Sequence, residues 1–552
     1  MKPNRALLTA LTAALLAAAA PAAAVAGTGW GPVLQLPGAI NATGTDVAVD
    51  AAGDQAIALT TYDQQQVLLT TRAAGTSWPA AQAPITTHQT GRAAIGPDGV
   101  ARTAYVEDGR LYLRSVAPGA VMPSAAEYVA GDPCCDSAVA GSLDYVPQVA
   151  TGADGATVVT WMANNGSHIE VHWAVRAAGA STFGPIGSTD AGAWILGQAQ
   201  MASDARGDTV IAWPENVGPY GGDPAFVVRA ISRPAGGTFG APVTVSSPNH
   251  HLEPPSVAVG PDGSAALAWR ADSDPEGDGV IRGSSRAGAG GAWTSEQDVS
   301  NAALDDALPH VAVGGAGGRE MAVGYVEDDS RQLPMAALGT AGGTFGAPGQ
   351  VAMLSARAID VALGPDGTGI LSFYDGSSVW TSIRPRGAAA FAFVDPALAT
   401  ADGQAAQGNA SVAFDAQGDA LGAWAGQDGA ERWRTWDGDP GAAPPSDPAP
   451  SVAAAPVSPA TPLRTAAAAS AATPAARRCA VPNIINLTRT RAAARLRSAH
   501  CTLGRVTTPK RYRHRTGLVI RAQSRRSGTR IASGTKVHVT LGVKPKPKHR
   551  RR

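Results

Sequence analysis

A mainly β architecture, made of repeated sheets, is what this chain of 552 residues predicts. Three observations carry it. A unit of roughly 50 residues recurs, its apolar residues alternate with period two, and each copy turns on a glycine. The unit is plainest at 257–269, Val-Ala-Val-Gly-Pro-Asp-Gly-Ser-Ala-Ala-Leu-Ala-Trp, and corresponding copies lie at 47–62, 93–105, 149–161, 201–213, 311–325, 361–373 and 412–424. Eight copies result.

Before the first copy, Lys2 and Arg5 precede an apolar run over 6–20 and a small-residue site, Ala24-Val25-Ala26. That order predicts a signal peptide over 1–26, cut before Gly27, and a secreted, extracellular or wall-associated protein. No later run reaches the roughly 20 apolar residues of a membrane helix, so no transmembrane anchor is expected in the mature chain.

Within each copy two alternating strands flank a turn at Gly53, Gly99, Gly155, Gly207, Gly263, Gly318, Gly367 or Gly418, where glycine supplies the positive φ of a tight hairpin. A third strand follows, as at 279–286, then a Gly-rich turn and a fourth strand opened by an aromatic such as Phe239, Trp293 or Phe345. Four antiparallel strands per unit is the pattern of a propeller blade. The expectation over 27–440 is therefore an eight-bladed β-propeller, with seven blades as the alternative. The last copy lacks its fourth strand, and the segment around Trp30 has the right character to supply it, which would close the ring and remove exposed edges.

Residues 441–476 are rich in Pro, Ala, Ser and Thr, and read as an extended linker. Charge divides there. Residues 477–552 hold 22 Lys and Arg and no Asp or Glu, whereas 1–476 hold 22 basic and 44 acidic residues, a contrast that points to different partners for the two parts.

The segment 477–543 opens with Cys-Ala-Val-Pro-Asn at 479–483. A helical stretch follows with Ala492, Leu496 and Ala499 on one face, then Gly504-Arg505-Val506, Val-Ile-Arg-Ala-Gln-Ser at 519–524, and Gly-Thr-Arg-Ile-Ala-Ser-Gly at 528–534. This order resembles PASTA domains over about 65 residues. The resemblance implies a small α+β domain and recognition of peptidoglycan. Arg525-Arg526 stand where that family usually carries proline. Cys479 and Cys501, on either side of the helix, are expected to pair as a disulfide. The tail 544–552 adds Lys544, Lys546, Lys548, Arg550, Arg551 and Arg552, a flexible cationic end suited to anionic wall polymers rather than to nucleic acid outside the cell.

On the propeller, acidic residues gather in or beside the connections between second and third strands and between repeats: Glu107, Asp108, Asp136, Glu215, Asp223, Asp305, Asp306, Glu327, Asp328, Asp329, Asp375 and Asp428. A negative face that meets an unknown protein or glycan is expected. Asp272, Asp274, Glu276 and Asp278 alternate on one loop around Gly277 and offer hard oxygens for calcium, the one cofactor the sequence invites, although an ordinary solvated loop fits as well. His250, His251 and Glu253 lie on the same blade, with no defined metal spacing. Cys134-Cys135 reads as a bridge that stiffens a long connection, with a ligand-shaping vicinal disulfide or a soft-metal site as alternatives. The aromatics that end the second strands, Tyr105, Trp161, Trp213, Trp269, Tyr325, Phe373 and Trp424, read as packing between blades.

The repeat array resembles sialidase-like propellers of exported actinobacterial proteins. It lacks their Ser-x-Asp-x-Gly-x-x-Trp box, their Phe-Arg-Ile-Pro segment and an arginine triad with a Tyr/Glu pair, so no catalytic set is assigned. The sequence thus points to a non-enzymatic, exported binding protein held at peptidoglycan or an anionic wall polymer, with the propeller as a ligand platform. The alternative is a wall-associated glycan hydrolase or lyase, which would need two or more carboxylates converging near the axis.

Overall fold

A computed structural model describes residues 30–436 apart from short stretches, the longest being 132–146 and 393–404, and parts of 478–542. The expected signal peptide, the linker, the basic tail, Cys134, Cys135, Asp136, Asp108, Asp223 and Asp329 lie outside the described residues.

The chain is mainly β. Among the described residues between 34 and 436, the strands form eight antiparallel sheets in chain order, one per repeat. Their first strands are Ala42–Val49, Ala94–Ile95, Gln148–Thr151, Gln200–Ser203, Ser256–Val259, Asp305–Gly314, Ala358–Leu363 and Ser411–Phe414. Each of these lies against the next, and the eighth lies against the first, so the circuit closes. The closing sheet joins the two ends of the array. Leu34–Gln35 pairs antiparallel with Glu431–Trp436, with Leu34 opposite Trp433, and Trp30 bridges to Trp436.

All eight hairpin glycines take positive φ, between 69° and 107°. At Gly263 a side chain is also excluded by space, since a Cβ there would lie 2.7 Å from the Ala289 Cβ. The second-strand aromatics are buried, and each joins a core shared with the repeat before it. Trp269 packs with Val210, Ala212, Phe226 and Val228, and Tyr325 packs with Ala266, Ala268 and Ile281. No repeat therefore buries its own core alone.

One device was not read from the sequence. The third strands Gln66–Arg72, Ile169–Arg176, Phe226–Arg233, Gly279–Arg286 and Val379–Arg384 all end in arginine, and each arginine reaches the preceding repeat. Arg72 lies 4.4 Å from the Trp433 ring centroid, and Arg176 bonds Glu127. Arg233 meets Asp154 at 2.8 Å, Arg286 meets Ser232 at 2.6 Å, and Arg384 meets Glu320 at 2.6 Å. In repeats 4 and 5 the connection from the previous repeat adds a short strand, Trp194–Ile195 or His251–Leu252, beyond the four strands per repeat that the sequence predicts.

Residues 478–542 form a separate small core. Thr502–Thr507 runs parallel to Lys536–Gly542, and Val519–Gln523 pairs with that strand antiparallel. Ala492 and Leu496, both helical, are buried with Val481, Ile484, Ile520, Val537 and Val539, as the helical spacing predicted. Gln523 ties the entry segment to the sheet, accepting from Ile484 N at 3.0 Å and donating to the Pro482 carbonyl at 3.2 Å. Cys501 is buried there, and among the described residues no cysteine is a free thiol; the side chain of Cys479 is not described.

Candidate functional site

A first strand at the inner edge of a sheet has one side without a strand partner, so its N–H groups need other acceptors. In five repeats the residue just before the first apolar position supplies one. Aligning the repeats gives Asp46, Arg92, Gln148, Gln200, Ser256, His310, Asp360 and Ser411, polar at every copy. Five of these accept a bond from the backbone N–H of the following repeat. Asp46 accepts from Ala93 at 3.0 Å, Gln148 from Met201 at 2.8 Å, Ser256 from Val311 at 3.0 Å, Asp360 from Val412 at 3.1 Å, and Ser411 from Val47 at 3.4 Å.

The same belt lines a cavity of about 520 Å³, within the range of small-molecule sites. Asp46, Arg92, Gln200, Ser256, His310, Asp360 and Ser411 all reach it, beside Thr45, Met201, Val257 and the prolines 254, 255 and 309. Because these residues come from the first strands, or the residues next to them, in six of the eight repeats, from Arg92 just before a seventh, and from 254–255, the cavity lies inside the closed circuit.

Charge on the belt is one-sided. Going round the circuit, His310, Asp360, Ser411, Asp46 and Arg92 occupy consecutive repeats, while Gln148, Gln200 and Ser256 complete the ring with neutral groups. The His310 ring Nδ1 lies 3.2 Å from Asp360 Oδ1. Burial raises the Asp46 carboxyl above its usual range and the Asp360 charge adds to that, against the opposing pull of Arg92 and the bond from Ala93. Two axial carboxylates therefore share one cavity.

Behind them sits Glu431, 1 % exposed. Its Oε1 accepts from Thr45 Oγ1 at 2.9 Å, and burial pushes its pKa to about 8. It is a neutral acid at neutral pH.

The residues singled out in the sequence are placed as follows. Asp272 is buried, 3.2 Å from Arg270 Nη2 and 3.6 Å from His251 Nδ1. Asp274, Glu276 and Asp278 lie outside the described residues. Among the described residues no group of three metal-ligating side chains converges. The acidic connections are more compensated than composition suggested. Glu215 pairs with Arg229 at 3.1 Å, and Asp428 pairs with Arg432 at 2.7 Å, which holds its carboxyl down at about 2. Asp375 caps its own turn through Ser377 N and Ser378 N, each at 2.8 Å, and accepts from the Trp380 indole at 2.8 Å. The side chains of Asp305, Asp306 and Asp328 are not described. No residue of the axial belt was singled out in the sequence, although the aligned repeats display it as a column of polar residues.

No family model matches the chain, and no curated protein matches it. Among solved structures, the chain is similar to a lectin from Burkholderia pseudomallei at 13 % identity, over 63 % of this chain and 97 % of that one, with a TM-score of 0.41. It is similar to a polysaccharide lyase at 9 % identity, over 74 % of this chain and 100 % of that one, with a TM-score of 0.43. A Hadza microbial sialidase matches at 12 % identity, over 59 % of this chain and 73 % of that one, with a TM-score of 0.34.

Proposed function

We propose that this chain is an exported, non-enzymatic binding protein whose C-terminal domain attaches it to peptidoglycan or an anionic wall polymer, while an eight-bladed propeller holds a ligand. The C-terminal domain is read as PASTA-like, with a Cys479–Cys501 bridge.

The observation that carries the attachment is the outer face of the small sheet. In the strand Lys536–Gly542, Val537 and Val539 point into the core, and Lys536 and His538 are exposed on the other side. Arg505, Arg521, Arg525 and Arg526 are exposed around them, and no acidic residue exists anywhere in 477–552. A cationic face on a segment that carries no Asp or Glu attracts polyanions over several ångströms and in a salt-dependent way.

The test is co-sedimentation of the mature chain with isolated wall sacculi, with and without attached anionic polymer, across a salt series. A chain ending at residue 476 serves as the comparison. Sedimentation of the longer chain alone supports the reading, and persistence after polymer removal assigns peptidoglycan. Equal behaviour of the two chains overturns it.

A second reading, a wall-associated glycan hydrolase or lyase, draws on Asp46 and Asp360 lining one axial cavity. It requires turnover of wall glycan by the mature protein that Asp360→Asn abolishes.

A further inference from the structure

The geometry points to the axial cavity as a binding site for an amino sugar, a hydroxyl-rich ligand that carries a protonated amine. This rests on the reading of the ring as a non-enzymatic ligand platform and names the ligand class it takes.

The lining supplies both halves of such a ligand. On the charged arc, Asp360 and Asp46 flank Ser411 on consecutive repeats, so an ammonium seated at Ser411 faces a carboxylate on each side. A charge-assisted bond to an amine is about twice as strong as a neutral one. An anionic ligand would meet those same carboxylates, with Arg92 and His310 only at the outer ends of the arc. On the opposite arc, Gln200 and Ser256 offer an amide and a hydroxyl, which match sugar hydroxyls as both donor and acceptor. Met201, Val257, Pro254 and Pro255 line the same arc and give the apolar ring face a surface to lie on.

The structural duty of the belt does not compete with this role. Asp46 uses Oδ2 to hold the next repeat's N–H, and Asp360 uses Oδ2 for Val412 N and Oδ1 for Val361 N at 2.8 Å beside the His310 ring, which fixes the carboxyl groups in place while each carboxylate keeps a lone pair for a ligand. Asp46→Asn keeps an oxygen for the Ala93 bond and removes the charge, whereas Asp360→Asn also takes the acceptor from one of two backbone N–H groups, Val361 or Val412.

Calorimetric titration of the full mature chain with four probes tests the assignment: free-amine chitobiose, diacetylchitobiose, cellobiose and spermidine. Free-amine chitobiose should bind at least about tenfold more tightly than the acetylated or hydroxyl disaccharide, the worth of one charge-assisted contact. Asp46→Asn and Asp360→Asn should each reduce that preference by about tenfold, read as the ratio of free-amine chitobiose to cellobiose affinity within the same variant. Equal binding of the three disaccharides overturns the amine site. Spermidine binding as tightly as free-amine chitobiose overturns the sugar component, and a preference that survives both substitutions places it elsewhere. The wild-type probe series stands even if a variant misfolds. Loss of the amine preference with wall sedimentation intact refutes the cavity alone, and the converse refutes the attachment alone.

Discussion

Glu431 shows what a single buried carboxyl does to the whole molecule. Its oxygen takes a bond from Thr45, 386 residues away in sequence, because the last repeat is folded against the first. Its pKa is raised from 4.5 to about 8 by burial, with Thr45 and the Arg432 charge opposing. Between those values the folded state binds one proton more than the unfolded chain, so the stabilisation is complete below about pH 4.5 and is lost as pH rises through about 8. Glu431→Gln keeps the acceptor for Thr45 and removes the titration. Its melting temperature should fall by several degrees less than that of the wild type between about pH 5 and about pH 8.5, measured by calorimetry. Identical slopes would show that Glu431 ionises normally. Nothing in the sequence marks this residue, since its burial depends on closure of the ring. The axial belt escaped for a different reason. Its eight positions are spread over five residue types, aspartate, arginine, glutamine, serine and histidine, so a search for one recurring residue type passes over it, and only the shared backbone position connects its members.

At the scale of the element, periodicity and turn chemistry were legible because they are local. The eight glycines and the buried aromatics took the places that alternating strands and tight turns require. The links between repeats were not legible, since each joins a strand end to a partner tens to hundreds of residues away in the chain. Arg233 is the clearest of these. It is 3 % exposed and donates to the Gly207 carbonyl at 2.9 Å and to Asp154 at 2.8 Å. The desolvation that would raise the Asp154 carboxyl is outweighed by bonds from Gly236 and Arg233, which hold it below its usual range. Removing the arginine takes the charge partner from Asp154 and one donor from the Gly207 carbonyl, so Arg233→Ala should cost about 3 kcal/mol in chemical denaturation. Arg319 makes the matching comparison. It also joins neighbouring repeats, bonding Asp262 at 2.7 Å, yet it is 54 % exposed. Arg319→Ala should cost less than about 1 kcal/mol, as exposed ion pairs do. Equal costs would mean that these arginines act by packing along their stems and not by pairing.

For the whole molecule, closure is the property on which the rest depends. The cavity exists only while the circuit is complete, because its wall is drawn from repeats at both ends of the array. Besides the contact of the eighth first strand with the first, the N-terminal segment's share of the closure is short: Leu34–Gln35 on Glu431–Trp436, the bond from Gly31 N to Thr435 O at 2.8 Å, and Leu36, which is 1 % exposed among Leu59, Leu68, Leu421 and Trp433. Arg434 Nε also donates to the Gly31 carbonyl at 2.6 Å. A chain beginning at residue 38 should therefore lose more than a two-residue strand. It leaves the strand edge of Glu431–Trp436 open to other chains, and it removes a core leucine whose truncation alone costs about 2–5 kcal/mol. Leu36→Ala tests the core and the truncated chain tests the edge. The point variant should melt earlier and stay monomeric in size-exclusion chromatography, whereas the truncated chain should both melt earlier and associate. Binding of free-amine chitobiose should survive in Leu36→Ala below its melting temperature and vanish in the truncated chain. A truncated chain that remains monomeric and keeps the probe would mean that the remaining repeats hold the circuit closed by themselves, with the N-terminal strand only an added cover.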